Sequence, residues 1–176
     1  MKYSVDVHEM VFPKYAKLQL KINKAGNMTL TATPSFTPGK MPEGVKKGGF
    51  VEKGARIFNY DNQIIVSLTF TDCLNIIDFV HSKNVAKTVD IFRTSSRYNK
   101  KVNLTYFADE DNPGTPKFAI FWFNSLENDV EKEIKFKLPL SFANLEEIAK
   151  VLESYVQNYA MIKLFCQAQL QEDLTK

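Results

Sequence analysis

Histidine and cysteine are nearly missing from this chain of 176 residues, which has two of each. His8 and His81 lie far apart in sequence, and neither neighbours a candidate nucleophile, so no hydrolytic triad has a local signature. Cys73 and Cys166 are too few for a disulfide framework and have no close ligand partners for zinc. Both fall in helical patterns, where a free thiol packs as a small hydrophobe. Glycine is sparse, and Gly48, Gly49 and Gly54 do not make the glycine-lysine loop that cradles phosphates. The acidic run Asp109-Glu110-Asp111 lacks the ligand spacing of a cation-binding loop and reads as a solvated turn. No apolar run approaches the roughly 20 residues that cross a bilayer. The opening MKYSVDVHEM carries acids and alternates, unlike a secretory or transit leader. The expectation is a cytoplasmic protein with no membrane contact, no catalytic residues, no metal and no cofactor.

What is present is a repeated order of pattern. Residues 3–7 alternate Tyr3, Val5, Val7. Residues 16–22 place Ala16, Leu18, Leu20 and Ile22 on one face and Lys17, Gln19 and Lys21 on the other, as a half-buried strand does. Ala25-Gly26-Asn27 signals a turn, and 28–33 returns with Met28, Leu30 and Ala32 inward. A long loop over 34–54 is rich in proline, glycine and lysine, including Lys40, Lys46, Lys47 and Lys53; its Phe36 and Phe50 are core anchors or stacking groups. Strands at 56–60 and 63–70 flank a turn at Asp61-Asn62. Thr71 and Asp72 open a helix over 71–82, striped by Cys73, Leu74, Ile76, Ile77 and Val80, with His81 suited to its C-terminal end.

The series then runs again. Val89 and Ile91 alternate with Asp90 and Phe92, and residues 93–101 (RTSSRYNKK) read as a basic hairpin loop. Val102, Leu104 and Tyr106 follow. Residues 118–123 are apolar on both faces, with Phe118, Ile120 and Trp122 assigned inward. Residues 131–138 alternate Ile134, Phe136 and Leu138 with Glu133, Lys135 and Lys137. Asn144 and Glu147 have capping-box spacing, and Leu145 to Ile162 keep helical period. About eight strands and two helices result. Hairpin connections predict an α+β fold: two four-stranded antiparallel sheets, each followed by a covering helix, forming one domain over 1–176 with halves near 1–83 and 84–176.

Charge and aromatic residues suggest a binding surface. Residues 1–108 hold 16 Lys/Arg against 8 Asp/Glu, and residues 109–176 hold 7 against 12. Such asymmetry suits an anionic partner met mainly by the first half. Single strands of nucleic acid need cations along the phosphates and flat rings beneath the bases. Lys17, Lys21, Lys135 and Lys137 sit on outward strand positions. Arg93, Arg97, Lys100 and Lys101 cluster around Tyr98 in one segment. Phe58, Tyr60, Phe92, Phe107, Phe121 and Phe123 occupy strand positions opposite the expected core. Subunit contact is the competing use for such rings.

The segment at 54–72, GARIFNYDNQIIVSLTFTD, resembles the corresponding stretch of the Whirly single-stranded DNA-binding proteins. Gly54, Arg56, Phe58, Tyr60, Ser67-Leu68 and Thr71-Asp72 carry the likeness without a gap. Leu30-Thr31-Ala32-Thr33-Pro34, residues 118–126 and Leu138-Pro139-Leu140 fall in the family's order. In place of its Lys-Gly-Lys-Ala-Ala motif stands Ala25-Gly26-Asn27-Met28-Thr29, with Lys24 before it. The resemblance implies a Whirly-like fold, shared in smaller form by the coactivator called positive cofactor four. It further implies single-stranded DNA bound with little sequence preference by a homo-oligomer, a tetramer or dimer, serving replication, recombination or repair. The plant members' transit leader is not expected here, which would suit a bacterial or viral source, particularly a phage. RNA on the same scaffold, or a purely structural oligomer, are the alternatives.

Overall fold

The first sheet follows from period-two alternation. In the computed structural model, which describes residues 4–37, 40, 57–128 and 132–174 with side chains to 171, β1 (Ser4–Phe12), β2 (Ala16–Asn23), β3 (Met28–Pro34) and β4 (Ile64–Ser67) pair in chain order, all antiparallel. Leu18, Leu20, Met28, Leu30, Ile64 and Val66 share the buried face. β1 runs five residues past the expected strand because a register shift between Asp6 and His8 lets pairing resume as far as Phe12. Gly26 closes the β2–β3 turn at φ +72°, a left-handed conformation that glycine adopts without strain.

The second sheet repeats the plan with β5 (Thr88–Thr94), β6 (Tyr98–Ala108), β7 (Pro116–Glu127) and β8 (Lys132–Leu140), again antiparallel in chain order. Three helices occur among the described residues: α1 (Phe70–Ser82), α2 (Phe142–Gln157) and α3 (Tyr159–Leu174). The expected α+β architecture, two four-stranded antiparallel sheets each followed by a helix, is what the chain adopts.

Four local expectations are corrected. The cap of α1 is Thr69, not Thr71: its hydroxyl accepts from the Asp72 N–H, and the Asp72 carboxylate accepts from the Thr69 N–H at 2.7 Å. An acid completes such a box only from three residues inside the cap. For the same reason Ser141, with Asn144 at the third position, caps α2 in place of Asn144 and Glu147. The single long final helix is two, because Asn158 leaves helical geometry (φ −102°, ψ 9°) while its side chain donates to the Ser154 carbonyl. Residues 57–60 are not a strand. Phe58 makes an isolated bridge to Ser35, and Tyr60–Asn62 form a 3-10 turn where a hairpin was expected.

One of these differences, and a fifth in β7, bear on ring placement. Phe58 is buried at 8% exposure rather than outward, because the bridge to Ser35 turns it inward. In β7 the faces are inverted: Phe121 and Phe123 are buried at 0% and 2%, and Trp122 is outward. Their register opposite Leu104 and Val102 of β6 puts both phenylalanines on the core side. Either parity of this strand is apolar, so only its neighbour decides it.

One contiguous core joins both sheets to α1 and α2. Cys73, Ile76, Phe79 and Val80 of α1 meet Leu145, Ile148, Ala149, Leu152 and Tyr155 of α2 within it. Two phenols stitch the halves together. Tyr106 of the second sheet stacks on Phe79 at 4.2 Å and donates to the Phe79 and Val80 carbonyls of α1. Tyr155 of α2 donates to the Gly26 carbonyl at 2.9 Å and accepts from the Met28 N–H at 3.2 Å in the first sheet. Burial pushes the Tyr106 and Tyr155 phenols and the Cys73 thiol each up to about 12.

Unfolded, these groups release protons near 8.5 for a thiol and about 10 for a phenol. Between those values and 12 the unfolded chain therefore binds fewer protons than the folded one, and stability falls as pH rises. Urea denaturation from pH 8 to 11 is expected to show that fall. Tyr155→Phe should flatten it, and at pH 7 should lower stability by about 1–3 kcal/mol through the unpaired Gly26 and Met28 groups.

Candidate nucleic-acid interface

Strand parity divides the basic segment at 93–101. It is not a loop: it spans the end of β5, a short turn and the start of β6. Arg93 lies in phase with buried Val89 and Ile91, and Lys100 in phase with buried Val102 and Leu104. Both reach from the inner side of the second sheet to the edge of the first. Arg93 Nε donates to the Ser67 carbonyl at 2.8 Å, and its guanidinium pairs with Asp72. Lys100 Nζ donates to the Ile65 carbonyl at 2.9 Å, and burial lowers its pKa. β4 is an edge strand, and these cations occupy carbonyls that would otherwise stay open. Arg97 stands exposed in the turn, and Tyr98 is half-buried with Lys100 Nζ 4.9 Å from its ring centre.

Phe92 and Lys101 fall on the opposite, outward face. They sit directly across from each other, with the Lys101 ammonium 5.0 Å from the Phe92 ring. The row continues through Asn124 of β7 to Lys135 of β8. The next row runs Asp90, Asn103, Trp122, Lys137, with Lys137 Nζ 3.8 Å from the Trp122 ring. Phe92 is 56% exposed and Trp122 36%. Lys101 and Lys135 have acids within 3.7 and 2.7 Å, Asp90 and Glu133. The hydrogen bond from Lys135 holds the Glu133 carboxyl below its usual range. Between the rows lies a depression of about 600 Å³ lined by Lys101, Asn103, Trp122, Asn124, Lys135 and Lys137. Phe107 lies toward the far end of this face, stacked with Phe118 at 5.1 Å.

The first sheet's outward face is different. Lys17 pairs with Glu9 at 2.9 Å and Lys21 with Asp6 at 3.0 Å, both acids supplied by β1. Burial works against the Lys17 charge, but the bond to Glu9 and the neighbouring Tyr60 outweigh it and raise its pKa. Gln19, Thr31 and Thr33 on this face are buried; Gln19 donates to Glu9 and Gln63 to Thr33. Lys46, Lys47, Lys53 and Arg56, with Phe50, lie outside the described residues.

The structure thus gathers Phe92, Lys101, Lys135 and Lys137 on one face, with Phe107 at its margin, and separates them from Lys17, Lys21, Tyr60, Arg93 and Lys100. Sequence reasoning missed Trp122, Asn103 and Asn124. The available signal was the phase of Asn124 with Trp122, which marks the wetter side of β7, but Ser125 in phase with Phe123 masks it. Among the described residues no three of His, Cys, Asp and Glu gather as a metal site, and no helix is long and apolar enough to cross a membrane.

No protein-family model matches the chain, and no curated protein matches it in sequence. Solved structures do match in fold. WHY1 from Arabidopsis thaliana aligns over 99% of this chain and 94% of its own, with TM-score 0.63 and 12% identity. WHY3 from the same plant aligns over 99% and 96%, with TM-score 0.58 and 11% identity. The plant transcriptional regulator PBF-2 aligns over 92% and 84%, with TM-score 0.55 and 13% identity. The fold is the Whirly fold, across the whole chain.

Parity predicts opposite outcomes for two neighbouring cations. Arg93→Gln removes the tie to Ser67 and the cation beside Asp72, and should cost about 1–2 kcal/mol in urea unfolding. Lys101→Gln, on the open face, should leave stability within about 0.5 kcal/mol.

Proposed function

We propose that this protein binds single-stranded nucleic acid, DNA foremost, on the outward face of its second sheet, and that it catalyses no reaction. The observation that carries the reading is the cross-strand juxtaposition of rings and ammonium groups, Phe92 with Lys101 and Trp122 with Lys137. Rings on a rigid sheet offer stacking platforms, and lysines beside them meet phosphates. The paired acids do not defeat this, because exposed ion pairs are weak and a phosphate competes for the same ammonium. The resemblance over 54–72 to the Whirly proteins supports the same ligand. A site of this kind suits single strands exposed in replication, recombination or repair.

The working unit is a homo-oligomer. α3 turns Met161, Leu164 and Phe165 into solvent, each more than 60% exposed, beside a groove of about 1160 Å³ that also takes in Val5 of β1. Large exposed apolar patches mark association surfaces, and a second copy of this helix is the occupant proposed here.

Anisotropy of a labelled oligodeoxynucleotide tests the first reading. Single strands should bind more tightly than duplex, with affinity falling as salt rises. Replacing Lys101, Lys135 and Lys137 together by glutamine should reduce the salt slope by about 2, at ~0.7 for each phosphate left without its lysine. Trp122→Ala should cost about 1–3 kcal/mol. Equal affinity for duplex, or indifference to salt, would sink the proposal. A matched RNA strand run alongside ranks the two sugars. For the oligomer, light scattering should give a multiple of the 20.2 kDa chain mass, and Leu164→Glu with Phe165→Glu should return it to one chain.

A further inference from the structure

We propose that the depression beside Trp122 is a pocket for one nucleobase, selective for bases with a ring N–H next to a carbonyl: thymine, uracil and guanine. The proposal rests on the nucleic-acid reading above and narrows it. Asn124 sits at the middle of the outward face, opposite Lys101 on one side and Lys135 on the other. Its amide N–H lies toward the Glu133 carboxylate and favours that group's charged form. Its Oδ1 is buried and accepts no hydrogen bond. Buried acceptors in folded proteins nearly always have a donor, and an exception asks for an explanation.

The oxygen lies under groups that can move. Lys101 and Lys135 flank it on flexible stems, with half or more of each side chain exposed. On the same strand face the next ring is Trp122, and the ammonium of Lys137 lies over it at 3.8 Å. The depression holds about 600 Å³, within the range of small-molecule sites. A base entering it stacks on the indole in place of the Lys137 ammonium, presents an N–H to Asn124 Oδ1, and meets three displaced ammonium groups with its acceptors.

That arrangement sorts the bases. Thymine and uracil carry their ring N–H between two carbonyls, and guanine carries its own beside one. These edges match an oxygen acceptor surrounded by lysines. Adenine and cytosine can offer Oδ1 only an exocyclic amino group, which sets a ring nitrogen rather than a carbonyl beside the lysines. The Whirly resemblance implies little sequence preference, so this selectivity is a property of these particular residues.

Trp122 is the chain's single tryptophan, so its emission reports on this pocket alone. The experiment titrates the intact protein with a short oligothymidylate and with the same strand built from N3-methylthymine, which lacks the ring N–H. The thymine strand should quench Trp122 and bind roughly tenfold more tightly than the methylated one. Asn124→Leu should bind both strands alike. It should also melt close to wild type, since the unpaired buried acceptor is lost together with the contact to the exposed Glu133 carboxylate. Equal affinity of wild type for the two strands overturns the pocket while leaving general binding intact. Discrimination that survives Asn124→Leu overturns the role of Asn124. Failure of both strands to bind overturns the nucleic-acid reading as well.

Discussion

The structure depends on burying α1 and α2 against each other while each also meets a sheet from the opposite half. Phe79 of α1 stacks on Tyr106 of the second sheet, and Tyr155 of α2 bonds the β2–β3 turn of the first. Neither half can bury its apolar face alone, because the helix it contributes is held partly by the other's strands. The internal repeat is therefore one of pattern and not of separable units. The same arrangement fixes which face of every strand points outward, and so decides which cations and rings are available to a ligand.

Much of this was legible in sequence wherever one strand face is polar. Residues 16–22 and 132–138 alternate, and their apolar positions turn to the core, although Gln19 on the polar face of the first is covered as well. Legibility failed at 118–123, where a register opposite Val102 and Leu104 selected the phase that the strand's own composition leaves open. It failed again at 93–101, whose polarity looks like a loop. There residues 99–101 are held in a ladder between β5 and β7, and Arg93 and Lys100 on the inner face find carbonyls to bind. Helix starts were misplaced by two or three residues because capping boxes can be drawn in more than one register. The tertiary frame selects the box whose cap lies at the strand's end, Thr69 two residues after β4 and Ser141 directly after β8.

The site was legible in kind and not in membership. Basic and aromatic residues on strands correctly suggested a sheet surface, yet Phe58, Phe121 and Phe123 serve the core. Trp122, the largest ring on the open face, was assigned to the interior. Ion pairing added a second layer that the chain does not display locally. Glu9 and Asp6 meet Lys17 and Lys21 only once β1 and β2 have chosen their register.

Net charge by halves also proves a poor guide to surface. Among the described cations of the first half, Lys17 and Lys21 are paired and largely covered, and Arg93 and Lys100 are committed to β4 carbonyls. Residues 109–176 are acidic overall, but Glu146 and Glu147 lie on α2 and Asp109 to Asp111 in the β6–β7 turn, off the strands that build the outward face. What remains on that face is Lys101, Lys135 and Lys137 against Asp90 and Glu133, with two rings between them. Attraction for a polyanion falls off within about 10 Å at moderate salt, so the local arrangement governs binding. The face thus draws Phe92 and Lys101 from residues 1–108 and Trp122, Lys135 and Lys137 from 109–176, so no division of the chain by sequence displays it.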